Sequence, residues 1–299
     1  INELKKDSTK VAIYLNSYLK KAKLEKNWRE LQNGYQNLLH HSPSKMRLVY
    51  ADSMLYAAKK TKDSAAIGSA FLTKGIVFYA QKEHKAALDE YLKANTYIAK
   101  TNDMYLVSKV KYNIAQIKNY MGLYDEAISL LRQCVSYYKK NHSRPYLNSL
   151  HSLGLSYNKA GNYGMCSQTN AVGLKESAIR NIPEMNTYFR QSEGVNQYFL
   201  KNYGQAITQL KDVVDELKDI EDFANEAVAN FYIGKSYWDL NFQQSAIPYF
   251  SKVDEILNYK QFTRMDFLET YKLLIDYFKA KDDPKSQLYY VDQLLKATH

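Results

Sequence analysis

A spacing of about 40 residues recurs through most of the chain and restricts the folds that it can adopt. Five similar segments, with starts 39 or 40 residues apart, begin at Gly75, Ala115, Gly154, Gly194 and Gly234. In each segment a second small residue follows twelve positions later: Ala87, Ala127, Cys166, Ala206 and Ala246. Four positions further on, four of the segments have a larger residue: Tyr91, Leu131, Leu210 and Phe250. The third segment has Asn170 there instead. Self-similarity at such a period is the signature of a repeat architecture.

Each repeated segment has the pattern of two amphipathic helices, which we call helix A and helix B. The first small residue allows helix A to approach its partner closely, the second does the same for helix B, and the larger residue fills the space between them. Neither helix can bury its apolar stripe alone, so neighbouring units must stack. The pattern therefore predicts an all-α solenoid.

The order of these residues resembles the tetratricopeptide repeat, in which Gly or Ala is followed by Tyr, Ala and an aromatic residue at this spacing. The resemblance is good in GLSYNKAGNY, which begins at Gly154, and in GKSYWDLNFQQSAIPYF, which begins at Gly234. It is weaker around Ala115, where Lys118 occupies the usual Tyr position. The period exceeds the usual 34 residues, so we expect longer helices or links. HEAT-type helix pairs have a similar length but lack this residue order. The resemblance implies a right-handed α-solenoid.

The same register extends towards both ends of the chain. It predicts one orphan helix in residues 1–27 and seven helix pairs in 28–299, which makes about fifteen helices in a single domain, 1–299. Asp residues near the links, in TKDS (61–64), TNDM (101–104) and IEDF (220–223), are expected to cap helices rather than to take part in chemistry.

Composition excludes several classes of protein. Only 11 Gly and 5 Pro disfavour a sandwich or barrel with many tight turns. No apolar run approaches the roughly 18–20 residues that cross a membrane. Two cysteines, Cys134 and Cys166, cannot form a disulfide framework and occupy positions expected to be small and buried. Whether either thiol is reactive stays open at this stage.

The formal net charge of +10 raises the question of an anionic partner. The basic residues are mostly Lys, spread along the chain, and Arg is scarce. Base and phosphate recognition usually relies on the Arg fork. We therefore expect no direct nucleic-acid contact by this segment.

The sequence contains none of the motifs that would indicate an enzyme. No HExxH, CxxC, Walker loop or Gly-rich dinucleotide turn is present. The adjacent His40 and His41 precede Pro43 and are expected in a solvated turn. These observations predict a non-enzymatic chain without cofactor, metal site or catalytic residue.

The tetratricopeptide resemblance implies that the A helices line a concave groove that captures a peptide or another protein. Transferring its groove positions to this chain predicts the following ligand-binding residues: Lys109, Tyr112, Asn119, Tyr120, His151, Asn158, Tyr188, Gln191, Tyr198, Phe199, Lys235 and Trp238. Tyr120 and Trp238 are expected to be exposed. Aromatic and amide side chains suit an extended peptide. The competing interpretation is that several of these rings pack between the A helices.

A narrower resemblance concerns the phrase YADSMLYAAKKTKD (50–63) and the ending YKLLIDYFKAKDDPKSQLYYVDQLLKA. Both resemble the repeat region of Bacteroidetes-type transcriptional regulators, in which a transmembrane helix and a cytoplasmic helix-turn-helix follow the repeats. The resemblance implies a signalling sensor on the periplasmic face of a membrane, with the cytoplasm as the alternative. Two other functions stay open: a scaffold or adaptor in a cell-envelope assembly, and a peptide-regulated response-regulator phosphatase.

Overall fold

The computed structural model describes residues 8–260 and 265–298, which form α-helices joined by short links. Within these ranges there are fifteen α-helices and no β-strand, so the predicted all-α class is confirmed. The helices are α1 (Ser8–Leu24), α2 (Trp28–His41), α3 (Ser44–Thr61), α4 (Ser64–Ala80), α5 (His84–Ile98), α6 (Met104–Tyr120), α7 (Tyr124–Tyr138), α8 (Ser143–Lys159), α9 (Tyr163–Ile179), α10 (Pro183–Phe199), α11 (Tyr203–Asp219), α12 (Phe223–Asp239), α13 (Gln243–Lys260), α14 (Leu268–Ala280) and α15 (Pro284–Thr298). A short 3-10 helix, Met265–Phe267, precedes α14.

The helices follow one another as a single helix, α1, and seven pairs from α2–α3 to α14–α15. The even-numbered member of each pair is helix A and the odd-numbered member is helix B. Residues 1–7 of the predicted orphan segment lie outside the described residues, as do residues 261–264 of the link before α14.

The chain divides into two compact units between Asn141 and His142. Unit 1 contains α1–α7, and unit 2 contains α8–α15. Each unit has its own buried residues, such as Met54 and Tyr91 in unit 1 and Leu210 and Phe250 in unit 2. A single domain over 1–299 therefore stays a prediction.

The first small residue of the repeat lies where helix A meets helix B. A Cβ atom placed on Gly75 would lie 2.5 Å from the ring of Tyr91, and one on Gly234 would lie 2.6 Å from the ring of Phe250. At these distances there is no room for a side chain on helix A. The glycine therefore provides the space that the larger residue of helix B, sixteen positions later, fills. Both rings are consequently fully buried, with 1% and 0% of their surface exposed.

Six of the seven links between helix A and helix B turn through one residue in the left-handed region, the exception being the link through Ser42 and Pro43 between α2 and α3. Two of these residues, Gly122 (φ 77°) and Gly161 (φ 75°), are glycines that adopt this conformation without steric cost. The corresponding residues of the other links are Lys82, Lys201, Asn241 and Asp282.

The links between helix B and the next helix A carry the expected caps. Asp63 accepts hydrogen bonds from the backbone N–H groups of Ala65 (2.8 Å) and Ala66 (3.3 Å). The same carboxylate capping is seen at Asp103 and Asp222. Because a cap satisfies N–H groups that lack a partner inside the helix, these three residues define where α4, α6 and α12 begin.

In unit 2, the middle of α10 is tied to the start of the adjacent A helix α12. The Tyr188 hydroxyl of α10 donates to the cap carboxylate of Asp222 (2.9 Å). Three residues later, Gln191 Nε2 donates to the backbone carbonyl of Asn225 in α12 (2.7 Å). Both ties join residues 34 positions apart, and together they fix the spacing between α10 and α12.

Unit 1 has the same pair of ties between α2 and α4. Arg29 Nη2 donates to the cap carboxylate of Asp63 (2.9 Å), and Gln32 Nε2 donates to the carbonyl of Ala66 (3.3 Å). Both ties again span 34 residues, so this device recurs in the two units.

None of the described helices is both long and apolar enough to cross a lipid bilayer.

Candidate functional site

The residues predicted to bind a ligand lie on four A helices, one in unit 1 and three in unit 2. They are Lys109, Tyr112, Asn119 and Tyr120 on α6, His151 and Asn158 on α8, Tyr188, Gln191, Tyr198 and Phe199 on α10, and Lys235 and Trp238 on α12. In unit 2, α10 contacts both α8 and α12. We call the surface that these three helices form the A-helix face.

An aromatic cluster lies at the C-terminal end of α10. The ring of Phe199 stacks on that of Tyr163 with centroids 5.7 Å apart and an interplanar angle of 12°. The ring of Tyr198 lies 5.4 Å from that of Phe199 and 5.1 Å from that of Tyr232 on α12. Phe199 nevertheless exposes 36% of its surface, so the cluster presents an apolar ring to solvent.

Polar groups flank this cluster. The Tyr198 hydroxyl donates to Asp239 Oδ2 (2.8 Å), and Lys235 Nζ donates to Glu269 Oε1 (2.7 Å). Burial of the ring and its bond to the Asp239 carboxylate raise the pKa of Tyr198 far above its usual range, so the hydroxyl remains a donor at physiological pH. The A-helix face therefore combines exposed ring surface with donors and acceptors.

Three predicted residues hold the A helices together: Tyr188, whose bond to Asp222 is described above, Gln191 and Asn158. Gln191 is only 4% exposed and its amide is occupied by the carbonyl of Asn225, so we remove it from the ligand-contacting set. Asn158 is half-buried, and its Nδ2 donates to Asn196 Oδ1 on α10 (2.8 Å).

The expectation that Trp238 is exposed is wrong. Its indole is half-buried and lies 6.0 Å from the ring of Phe250, measured between centroids. Packing against helix B of the same pair accounts for this burial.

His151 is half-buried on α8, beside the rings of Tyr188 (5.8 Å) and Phe189 (5.6 Å). Desolvation lowers the pKa of its imidazole to about 4. The side chain is therefore neutral at physiological pH and contributes no positive charge to the A-helix face.

In unit 1, Tyr120 is 65% exposed, as predicted, and its ring lies 3.7 Å from that of His84. Lys109, Tyr112 and Asn119 are half-buried on the same helix. The Asn119 Oδ1 atom is buried and accepts no hydrogen bond from the protein. These residues form a separate aromatic and polar surface within unit 1.

Over residues 8–260 and 265–298, no group of three His, Cys, Asp or Glu side chains is arranged to hold a metal ion.

Solved structures of similar shape identify the architecture. A tetratricopeptide repeat protein from Parabacteroides merdae aligns over 92% of this chain and 94% of its own, with a TM-score of 0.62 and 14% identity. The chain has the tetratricopeptide repeat fold. The Rap conjugation gene regulator of the plasmid pLS20, solved in complex with the Phr* peptide, aligns over 96% of this chain and 84% of its own (TM-score 0.61, 12% identity). Aspartyl phosphate phosphatase F from Bacillus subtilis aligns over 77% and 60% (TM-score 0.62, 16% identity). No protein-family model and no curated protein matches the sequence.

One feature of the repeats was not anticipated: a buried polar cluster between α9 and α10. Asn170 Nδ2 donates to Glu193 Oε2 (2.9 Å), and Ser167 Oγ donates to Glu193 Oε1 (2.7 Å). Gln197 Nε2 also donates to Oε1 (2.6 Å). Asn170 is completely buried at the repeat position where four other segments have a large apolar or aromatic residue. That single exception in the repeat pattern was the available signal for this cluster.

Both cysteines are buried, as predicted from their small-residue positions. Burial raises the pKa of the Cys134 and Cys166 thiols to about 12. Because the thiolate is the nucleophile, neither side chain is set up for redox or covalent chemistry at neutral pH.

We therefore expect the folded protein to resist thiol labelling. At pH 8, Ellman's reagent should release less than about 0.1 equivalent of chromophore in the native state, because a thiol with a pKa near 12 is almost wholly protonated. In 6 M guanidinium chloride it should release two equivalents. Rapid labelling of the native protein at either thiol would contradict this account.

Proposed function

We propose that the chain is a non-enzymatic binding module that captures an extended peptide or the tail of another protein on its A helices. The observation that carries this proposal is the aromatic cluster around Phe199, which remains open to solvent although Tyr163 and Tyr232 pack against it. Exposed aromatic rings provide a large contact area at low entropic cost.

The arrangement of the A-helix face favours an extended ligand. Neighbouring helix axes lie about 10 Å apart, so α8, α10 and α12 span about 20 Å. An extended chain covers that distance with about six residues. The face offers ring surface at Phe199 and the exposed carboxylate of Asp239, which suit the alternation of apolar side chains and backbone polar groups in such a peptide. The Lys235 side chain is 13% exposed and paired with Glu269, so it supports this face instead of presenting a free ammonium group. The peptide complex of the similarly folded plasmid regulator supports this mode of use.

The proposal is tested by selecting peptides from a displayed random library on the immobilised full chain and measuring the affinity of a selected peptide by calorimetry. We expect Tyr198→Ala and Phe199→Ala each to weaken binding about 10- to 100-fold, the range for aromatic residues at the centre of an interface. The control is Tyr259→Ala on α13, since Tyr259 is 82% exposed and lies off the A-helix face. Equal affinity of all three variants and the parent chain would show that the peptide binds elsewhere.

We propose a sensor role in a membrane-associated transcriptional regulator as the biological setting of this binding, with its repeats at the periplasmic face. The support is the resemblance of residues 50–63 and 271–297 to the sensor repeats of such regulators. The complete reading frame tests it. A transmembrane helix and a helix-turn-helix encoded after His299 would agree with this role, whereas a stop codon there would leave a free-standing adaptor.

The similarity in shape to an aspartyl phosphate phosphatase defines the enzymatic alternative. Its test is loss of phosphate from a phosphorylated receiver domain incubated with the full chain. We expect a rate equal to that of the receiver domain alone.

A further inference from the structure

The net positive charge of the chain comes from unit 1. Residues 1–141 contain 24 Lys and Arg against 12 Asp and Glu, a net charge of +12, whereas residues 142–299 contain 17 against 19, a net charge of −2. Basic residues occur along the whole chain, as noted above, but most of the acidic residues that balance them lie in unit 2.

Within unit 1, lysines gather where the helices α1, α3, α5 and α7 end. They occur in residues 20–26, in residues 59–62, at Lys100 and in residues 139–140. These ends lie at one edge, since consecutive helices reverse direction. The last pair shows this reversal: the Tyr138 hydroxyl at the end of α7 donates to the carbonyl of Tyr105 at the start of α6, so these two opposite ends lie side by side. We call these lysines the lysine edge.

Capping of the helix dipole does not explain the lysine edge. Cations do stabilise helix C-termini, and this stabilisation would favour lysines at the helix ends of both units equally. In unit 2, however, the end of α11 and the following link, DELKDIED (215–222), contain one lysine and five acidic residues. The repeat fold therefore tolerates either sign of charge at this edge, and the lysines of unit 1 need a separate explanation.

The lysines of this edge are exposed, and several lie over aromatic rings. Lys60 Nζ lies 5.3 Å from the centroid of the Tyr56 ring, and Lys59 Nζ lies 5.6 Å from that of Phe71. Such contacts orient the side chains and leave their charge unneutralised. At the beginning of the edge, Lys21 Nζ lies 3.9 Å from Glu25 Oε1, and both side chains are exposed, so water screens this pair.

The size of the edge indicates the kind of partner. The helices α1, α3, α5 and α7 are joined mainly through the helices that lie between them, so their ends are at least about 10 Å apart. The four ends therefore form a row of about 30 Å or more, and a small anion could contact only one or two of them. An extended polyanion is required. Lysine is a point charge without the fork that reads bases or clamps one phosphate, so it suits anions of variable spacing.

Exposed apolar side chains distinguish between polyanions. Leu24 (78% exposed), Tyr56 (58%) and Met104 (50%) lie among the lysines of this edge. Apolar tips between lysines gain nothing from a phosphodiester backbone, but they insert favourably at the level of lipid headgroups. We propose that the lysine edge of unit 1 docks on the surface of a bilayer that contains anionic lipids.

The proposal is tested by sedimenting the full chain with vesicles of 70% phosphatidylcholine and 30% phosphatidylserine, and with vesicles of phosphatidylcholine alone. We expect binding only to the anionic vesicles, falling steeply between 50 and 500 mM NaCl. A lysine near such a surface contributes about a five-fold gain in partitioning. The triple variant Lys59→Gln, Lys60→Gln, Lys62→Gln should therefore lower partitioning about 100-fold.

The matched control is Lys45→Gln, Lys82→Gln, Lys85→Gln. It removes the same charge from unit 1, and all three of its lysines are exposed at the opposite ends of the helices. We expect it to retain partitioning within about five-fold, the contribution of one lysine. Equal losses in the two triple variants would overturn the assignment to this edge. Equal binding to uncharged vesicles, or tighter binding to duplex DNA than to anionic vesicles at matched phosphate concentration, would overturn the assignment to anionic lipid.

Discussion

Substitution of Gly173 by Ala should lower the free energy of unfolding by about 2 kcal/mol, because the new methyl group has no space. Gly173 lies in the middle of α9, and a Cβ atom there would lie 2.2 Å from Cε1, 2.3 Å from Cζ and 2.5 Å from Cδ1 of Phe189. That ring is completely buried on α10, so it cannot move into solvent. Urea unfolding followed by far-UV circular dichroism measures the change.

Gly204→Ala is the matched control for this experiment. Gly204 lies in the first turn of α11, and nothing lies within 4 Å of the position of its Cβ atom. Alanine has the higher helix propensity, so this variant should be more stable than the parent by about 0.5 kcal/mol. Effects of the same sign in both variants would mean that the contact with Phe189 does not limit the packing of α9.

Substitution of Asp254 by Ala should cost about 3 kcal/mol, because three donors share this one buried carboxylate. Asp254 Oδ1 accepts from the Tyr271 hydroxyl (3.0 Å) and from Asn258 Nδ2 (2.8 Å), and Oδ2 accepts from the Tyr289 hydroxyl (2.9 Å). Asp254 and Tyr271 are 6% and 2% exposed. After the substitution, the Tyr271 hydroxyl would be left in the core without an acceptor. The unfolding experiment used for Gly173 measures this loss.

Two further variants separate the hydrogen bonds from the general effect of substitution. Tyr289→Phe should cost less than about 1 kcal/mol, since Tyr289 is 45% exposed and water can replace its bond. Asp292→Ala removes an exposed carboxylate of the same region, ion-paired to Lys296, and should change stability by less than about 0.5 kcal/mol. A loss at Asp292 as large as that at Asp254 would contradict the central role assigned to Asp254.

The repeat pattern could be predicted from the sequence because it depends on residue size at fixed spacing. The positions of Gly75 and Tyr91, sixteen residues apart, recur in five segments, with a large residue at the second position in four of them. The contact seen in one segment can therefore be expected in the others. The helix caps follow for the same reason, since Asp63 and Asp222 stand at equivalent links. The fold class therefore required no information beyond the period and the small residues.

The surface of the A helices could be predicted only in part, because a neighbouring helix decides whether a side chain is free. Gln191 and Tyr198 lie on the same helix at predicted groove positions, yet the first is buried under α12 and the second borders the open cluster. The Asp254 hydrogen bonds were also out of reach. Their partners are 17 and 35 residues away, distances that do not belong to the repeat period.

The ties between A helices have a mechanical consequence for ligand capture in unit 2. Between the middle of α10 and the start of α12, the bond from Gln191 is buried, so water cannot replace it cheaply. Towards the C-termini of both helices, the bond from Tyr198 to Asp239 is accessible to solvent and easily exchanged. A ligand that inserts beside Phe199 therefore has to displace only an exchangeable hydrogen bond, while the buried bond keeps the register of the two helices.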